Sequence, residues 1–544
     1  MHASPLGDLI NAIRLHAILF AILLSYLAAV MYIGFKSTKK QNSLEDFFLA
    51  GRTVPWWAAG VSIITADMSA ISYVGAPAWV FQKDLRLAVG LFLFPLFMLV
   101  IVYLFIPVMA RLRLFTIYEY LEKRFGLPSR LLASLMFILI VAGRLAVVIY
   151  TTALILSVIT GLPLAPCIWV LAGVTATYTI LGGMEAVIWT DVMQFCVLVF
   201  GMVLILAVIV YAFGGHVGQI WSLAANGGHT RMLDADLFTF NLKTEVTLLA
   251  LIIGGAVTNV ATYGSDQVIV QRYLTTGSKR EMAKAVMFNG IVTLPVMGML
   301  WLAGIGLAAY YAVHPALAAT LTTPDQVVPH FITNALNPVV GGLIIAGIFA
   351  ATMSTLSCGL NSLTTASMVD FYLRFRGRAT TAGSSDDSTL RGDISIARWC
   401  TLGWAVLSTI GAMFVDHLGT IIKAMGTING FFVGPLLSVF LLGFLTTRAN
   451  SFGAFAGAIA GTALTAVVAA MPVSWLPGAL QPASVFPISW LWYGPAGCVF
   501  TMLIGYLLSL ARPAPELQTI APLTLGGVAI STQPSTRAVH SPQQ

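Results

Sequence analysis

Thirteen stretches of this chain are apolar for long enough to cross a lipid bilayer, and no other feature constrains its fold as strongly. A helical span needs roughly 20 mainly apolar residues to cover about 30 Å of hydrocarbon. By that measure the segments lie near 15–35, 54–80, 85–110, 128–161, 164–183, 184–213, 244–266, 279–313, 339–372, 394–417, 419–445, 451–471 and 489–510. Backbone polar groups in lipid must be satisfied within each span. The expected fold class is therefore an all-α polytopic membrane protein with about 13 transmembrane helices. Composition agrees: 9% of the residues are charged, against about 25% in a soluble domain. The fifth and sixth segments are divided at Gly182–Gly183, where one long bent helix is the competing reading.

The loops set an orientation. Lys36, Lys39, Lys40 and Arg52 follow the first span, and Arg111, Arg113, Lys123, Arg124 and Arg130 the third. Arg272, Lys279, Arg280 and Lys284 follow the seventh, and Arg374, Arg376, Arg378, Arg391 and Arg398 the ninth. The intervening loops carry fewer, such as Lys83 and Arg86 or Arg231 and Lys243. Cytoplasmic loops hold the Lys/Arg excess. The alternation predicts a multi-pass protein of the plasma membrane with its N-terminus outside and its C-terminus in the cytoplasm. From about Pro513 the chain is rich in Pro, Ser, Thr and Gln, and 513–544 is expected to be a disordered cytoplasmic tail. Residues 378–393 read as a mobile loop and 118–126, YEYLEKRFG, as a short surface helix.

Several chemistries find no support. No G-x-x-x-x-G-K loop is present for an ATP motor, and no nucleophile elbow. The eight histidines are scattered without metal spacing. Cys167, Cys196, Cys358, Cys400 and Cys498 fall in apolar segments with no disulfide or metal pattern. The net charge of +7 is spread over short loops, which does not fit nucleic acid. The expected protein is not an enzyme, has no organic cofactor, and has the lipid bilayer as a partner; its oligomeric state stays open. Gly453, Gly457 and Gly461 form a small-residue ridge that suits helix packing or a dimer seam.

The second span is polar at its centre. Pro55 to Trp79 carries Thr65, Asp67, Ser69 and Ser72 where lipid favours leucine, with Gly60, Gly75 and Pro77 around them. A charge at that depth faces a cavity, a partner or an ion pathway. The expectation is a broken helix lining a mid-membrane site. The seventh span, five spans later, has the same character through Gly254, Gly255, Thr258, Asn259, Thr262, Tyr263 and Gly264. Paired interrupted helices of two inverted repeats hold substrate and ion in many transporters. The ninth span places Ala351, Ser354, Thr355 and Cys358 on one face, with Ser357 adjacent. Hydroxyl and carbonyl oxygens suit a small hard cation, and sodium is the simplest choice. Asp191 enters the sixth span within about two turns, as a site acid or as an interfacial partner of an arginine. Arg144 lies deep in the fourth span. It is either half of a structural ion pair, with Asp67 as its candidate partner, or a bidentate fork for a substrate carboxylate.

Five motifs carry a resemblance: LEDFFLAGR at 44–52, PWWAAGVSIITADMSA at 55–70, GGMEAVIWTDVMQ at 182–194, DQVIVQRYL at 266–274 and ATMSTLSCGLNS at 351–362. Together they resemble the sodium/solute symporter family over roughly residues 44 to 445. The resemblance implies a five-plus-five inverted-repeat core with broken first and sixth core helices. The transport core would be 54–445, flanked by an N-terminal peripheral helix and cytoplasmic loop at 1–53 and two peripheral helices at 446–512. It implies sodium held by the carbonyls of Thr65, Met68 and Ala351 and the hydroxyls of Ser354 and Thr355, with Asp191 beside them. Sialic acid carriers of the family hold a second sodium near that acid. Ser357 keeps their pattern, and Cys358 replaces a serine.

For the solute, Asp67 is similar to an acid of the family's proline carriers. Ile71-Ser72 and Thr293 replace the acid-amide pair and lysine of its galactose carriers, although Asn259 matches. Arg144 resembles the arginine that sialic acid carriers place against a carboxylate. The stretch Tyr263 to Arg272 is similar to one in the monocarboxylate, vitamin and iodide carriers. The reading is a sodium-coupled symporter importing a carboxylate-bearing solute, sialic acid or another organic acid, with Asp67, Ser69, Ser72, Arg144, Asn259 and Tyr263 at the substrate. A sugar or amino-acid symporter is the alternative, and a channel or a membrane sensor the alternative class.

Overall fold

A computed structural model describes residues 43–160, 162–377, 387–415, 421–469 and 489–525, with parts of 21–36. All regular elements among these residues are helical. After the partly described apolar helix at Leu24–Ile33 come α1 (Leu44–Leu49), α2 (Trp56–Asp67) and α3 (Ala70–Gln82). A long span, α4 (Arg86–Leu112), leads to the short α5 (Tyr118–Phe125) and then to α6 (Leu127–Thr160) and α7 (Leu164–Ala212). After α8 (Val217–Asn226) come α9 (Leu248–Gly264), α10 (Gln267–Leu274) and α11 (Lys279–Val313). The rest is α12 (Val327–Ala335), α13 (Pro338–Ala366), α14 (Asp387–Ala412), α15 (Ile421–Leu445), α16 (Ser451–Ala469), α17 (Tyr493–Leu510) and α18 (Leu517–Ile520).

Among the described residues, seven helices are long and apolar enough to cross a membrane, or nine if each of two sharply bent pairs is one span. The difference from thirteen has physical causes. The region of the first expected span lies mostly outside the described residues, and α2 with α3 divides one apolar run into two short helices. Gly183 puts a kink inside α7 with φ 59 and ψ −169. That backbone is non-helical, so Leu164–Ala212 is two helices meeting at Gly183, of which Gly183–Ala212 alone is long enough to span, and the expected division at Gly182–Gly183 holds.

Two breaks position the site. At the first, Met68 and Ser69 are extended and Ser69 caps α3, its Oγ accepting from Ile71 N at 3.1 Å. At the second, Asp266 caps α10, its Oδ1 accepting from Val268 N at 2.8 Å, and the axis bends by 52°. α2 lies close on α11 because Gly60 has no side chain: a Cβ there would sit 2.7 Å from Phe288 Cδ1. Before α2 the chain turns by 109° through Ala50, Gly51 and Arg52, all at positive φ. Arg52 fixes that elbow by donating to Glu45 Oε1 and to the carbonyls of Leu114 and Leu274.

Two expectations need correction. Tyr118–Phe125 is a helix but not a surface one: Tyr118, Tyr120, Leu121, Arg124 and Phe125 are buried. Its aromatic face packs on α15, and Arg124 donates to the carbonyls of Thr446 and Ala449 beyond it. The tail is ordered at its start, since Ile520 and Leu523 are buried and Leu523 O accepts from Tyr120 Oη at 3.0 Å. Residues 526–544 and the loop at 378–386 lie outside the described residues. The Gly453–Gly461 ridge seats α17: a Cβ at Gly457 would sit 2.5 Å from Gly505 Cα.

Candidate functional site

The first break turns main-chain oxygens away from helical pairing. The last carbonyls of any helix lack intrahelical donors. Here α13 passes alongside, with Ser354 Oγ 2.8 Å from Thr65 O and Thr355 Oγ1 3.4 Å from Met68 O. The same two hydroxyls lie 3.0 and 3.1 Å from Ala351 O. The Thr65 hydroxyl bonds back to Val61 O and Ser62 O, so Thr65 presents its carbonyl. Three carbonyls and two hydroxyls thus converge in one fully buried place. A hard cation holds oxygens at about 2.4 Å, which sets neighbouring ligands about 3.4 Å apart at right angles. The observed separations run from 2.8 to 3.4 Å, so a cation there requires each hydroxyl to rotate its proton away and the tighter pairs to open by a few tenths of an ångström.

Asp191 is fully buried rather than interfacial. Ser62 Oγ donates to it, Cys358 Sγ lies 3.3 Å from Oδ2, and the buried Arg272 brings Nε to 3.9 Å. An arginine does pair it, but inside the bundle. Ser357, expected beside this acid, donates instead to Ser354 O on its own helix at 3.0 Å. Cys358 is the α13 side chain in contact with Asp191.

Between Ala58 and Ala70, Asp67 alone is exposed. It accepts a hydrogen bond from Tyr263 Oη at 2.9 Å, which ties the two breaks together. Arg144 pairs with Asp266 at 2.7 Å, and not with Asp67, its expected candidate partner. Ser69 is buried and serves as the α3 cap, and Ser72 is half-buried. Asn259 is half-buried, with its amide donating to Gly255 O of its own helix. The structure brings Asp67 and Tyr263 together and leaves Ser69 and Asn259 engaged locally. Asp266, Arg272 and Ser62 escaped the sequence reading. The one signal for Asp266 was an acid just before a helical run, which more often marks only a cap.

The α10 side is closed. All eight residues of α10 are buried. Gln267 bridges Ile117 N and Phe115 O, each at 2.9 Å, and Tyr118 Oη donates to Ser265 O at 3.0 Å. Beyond them the buried Asp370 accepts from Arg130, Thr116 and Ser134. Arg130 and Arg374 both donate to Glu122. Burial pushes the Glu122 carboxyl up, but those hydrogen bonds outweigh it and hold it below its ordinary range.

The chain is similar to known proteins over most of its length. The profile of the sodium:solute symporter family matches residues 47–461. The sodium/sialic acid symporter SiaT of Proteus mirabilis is 30% identical, over 92% of this chain and 96% of that one. The sodium/sialic acid symporter NanT of Aliivibrio fischeri is 29% identical, over 90% of this chain and 92% of that one. A solved Na+-coupled sialic acid symporter, in its substrate-bound outward-open state, superposes with a TM-score of 0.81 at 28% identity. It covers 92% of this chain and 99% of its own.

Proposed function

The chain belongs to the sodium:solute symporter family, and from that premise we propose that it imports a carboxylate-bearing organic solute together with sodium by alternating access. The observation that carries the ion's place is the meeting of Thr65, Met68, Ala351, Ser354 and Thr355 at the first break. Sodium there joins α2 to α13, two helices whose hydroxyl-to-carbonyl contacts at this level are those of Ser354 and Thr355. Binding a state that holds both helices together shifts the population toward it.

We assign Arg144 to the solute carboxylate, with Asp67, Ser72 and Tyr263 around the rest of the molecule. The relatives named for sialic acid make a sugar acid the first solute to test. A second reading follows from Asp67, an acid open to solvent near Arg144: it favours a solute that adds a cationic nitrogen. The Asp191 group already has Arg272, Ser62 and Cys358, which supports one sodium per cycle. The Lys/Arg excess places α5 and α10 toward the cytoplasm, so this arrangement is closed inward. The membrane potential then supplies about 2.3 kcal/mol per ion at 100 mV, roughly 50-fold accumulation before the concentration gradient acts.

The test is uptake into proteoliposomes with an imposed sodium gradient, across labelled acids, sugars and amino acids. Sodium-dependent accumulation of a carboxylate is expected. Uptake driven by a proton gradient alone, with no response to sodium, would sink the assignment.

A further inference from the structure

We propose that Asp266 is an internal competitor for the substrate carboxylate, and that the Arg144–Asp266 pair is a latch which substrate opens. The inference rests on the reading of Arg144 as the residue that receives the solute carboxylate.

One carboxylate serves two purposes at the second break. Its Oδ1 accepts from Val268 N at 2.8 Å and starts α10, while its Oδ2 accepts from Arg144 Nη2 at 2.7 Å. Both side chains are largely withdrawn from water, 13% and 8% exposed, so the pair is little screened. Asp266 therefore already holds the guanidinium as a substrate carboxylate would. It does not use all of it. Arg144 Nε is buried with no hydrogen-bond partner, and a guanidinium has five donors in a planar fork. A substrate carboxylate that reaches Arg144 therefore has an unused donor to take. Two acids on one guanidinium repel each other, and the Oδ2 contact of Asp266 is the one that gives way.

The consequence reaches the closed side. Asp266 is followed directly by the buried run Gln267–Leu274. That run and its leading turn are tied to α5 by Gln267 on Ile117 and Phe115 and by Tyr118 on Ser265. A small cavity bordered by Phe137, Ile140, Ala261 and Val433 adjoins Asp266, so the packing is not complete beside the turn. Releasing Asp266 loosens the attachment of α10, so substrate arrival at Arg144 becomes a permit for opening toward α5. Asp266 acts through Arg144 and is a positioning residue.

The discriminating variant is Asp266→Asn. Asparagine caps a helix about as well as aspartate, so the cap survives while the negative charge facing Arg144 is removed. Hydrogen exchange is measured on the full-length protein in sodium without solute. The expected result is roughly tenfold faster exchange confined to 267–274 and 115–118. N-acetylneuraminate, used as the probe carboxylate, should bind about tenfold tighter to Asp266→Asn than to the wild type, and Arg144→Gln should abolish that gain. Unchanged exchange in 267–274 would overturn the latch. So would faster exchange spread evenly over all helices, which reports loosened folding. Because exchange is read without solute, it judges Asp266 separately from the assignment of Arg144. That assignment fails on its own if Arg144→Ala leaves carboxylate uptake intact.

Discussion

Ser354 Oγ lies 2.8 Å from the main-chain oxygen of Thr65, a residue 289 positions earlier in the chain. The contact exists because α2 stops at Asp67 and no later turn continues it past Met68. A continuous helix would have bonded Thr65 O to its own backbone four residues on. The break thus creates the acceptor, and α13 supplies the hydroxyl.

Removing that hydroxyl should weaken sodium and little else. A polar contact to a charged group contributes about 1.5–3 kcal/mol, or roughly 10- to 100-fold in affinity. Ser354→Ala should raise the half-saturating sodium concentration by that factor, and Thr355→Ala likewise. The readout is the sodium dependence of initial uptake. An unshifted sodium curve in both variants would place the ion elsewhere.

Arg144→Ala should lose carboxylate uptake by roughly 10- to 100-fold, and Arg144→Lys should recover only part of it, because an ammonium cannot match the bidentate fork. Sodium binding should change far less. Solute binding and sodium binding measured side by side would reject the assignment if both fell equally.

The small-residue ridge makes a stability prediction. A Cβ on Gly461 would lie 1.9 Å from Thr501 Oγ1, and one on Gly457 2.5 Å from Gly505 Cα. Gly457→Leu should therefore force α16 and α17 apart and lower the melting temperature, with overpacking costing about 1–3 kcal/mol. Oligomeric state should not change, since this face is filled by the chain's own helix. A variant that melted normally but changed its size would restore the seam reading.

Glu122 carries a pH dependence of known sign. Its folded carboxyl is held below its unfolded value by Arg374 and Arg130 despite burial. Its contribution is then present above the ordinary glutamate value of about 4.3 and is lost as pH falls through the depressed one. Wild type and Glu122→Gln should differ in thermal stability at neutral pH and converge in acid. A difference that grew on acidification would have the wrong sign.

Much of the site was legible because membrane burial makes polar residues conspicuous. Thr65, Asp67, Ser354 and Thr355 stand out in apolar runs, and glycines and prolines around them mark a break. The partners were less legible. Arg144 meets Asp266 across 122 residues, and nothing local distinguishes that acid from an ordinary helix cap. Arg272 sits beside a run of loop cations and reads as one of them, yet its side chain is fully buried. The start of the tail was misread for a related reason: the composition of 513–544 is polar on average, yet Ile520 and Leu523 are buried and Leu523 O accepts from Tyr120 of α5.

The central claim is that sodium occupies the oxygens gathered at the first break. Equilibrium binding of radioactive sodium to purified protein tests it most directly, comparing the wild type with the Ser354→Ala/Thr355→Ala double variant. The account predicts saturable binding to the wild type and none to the double variant at the same sodium concentrations, with both proteins folded. Equal binding by the two would contradict it.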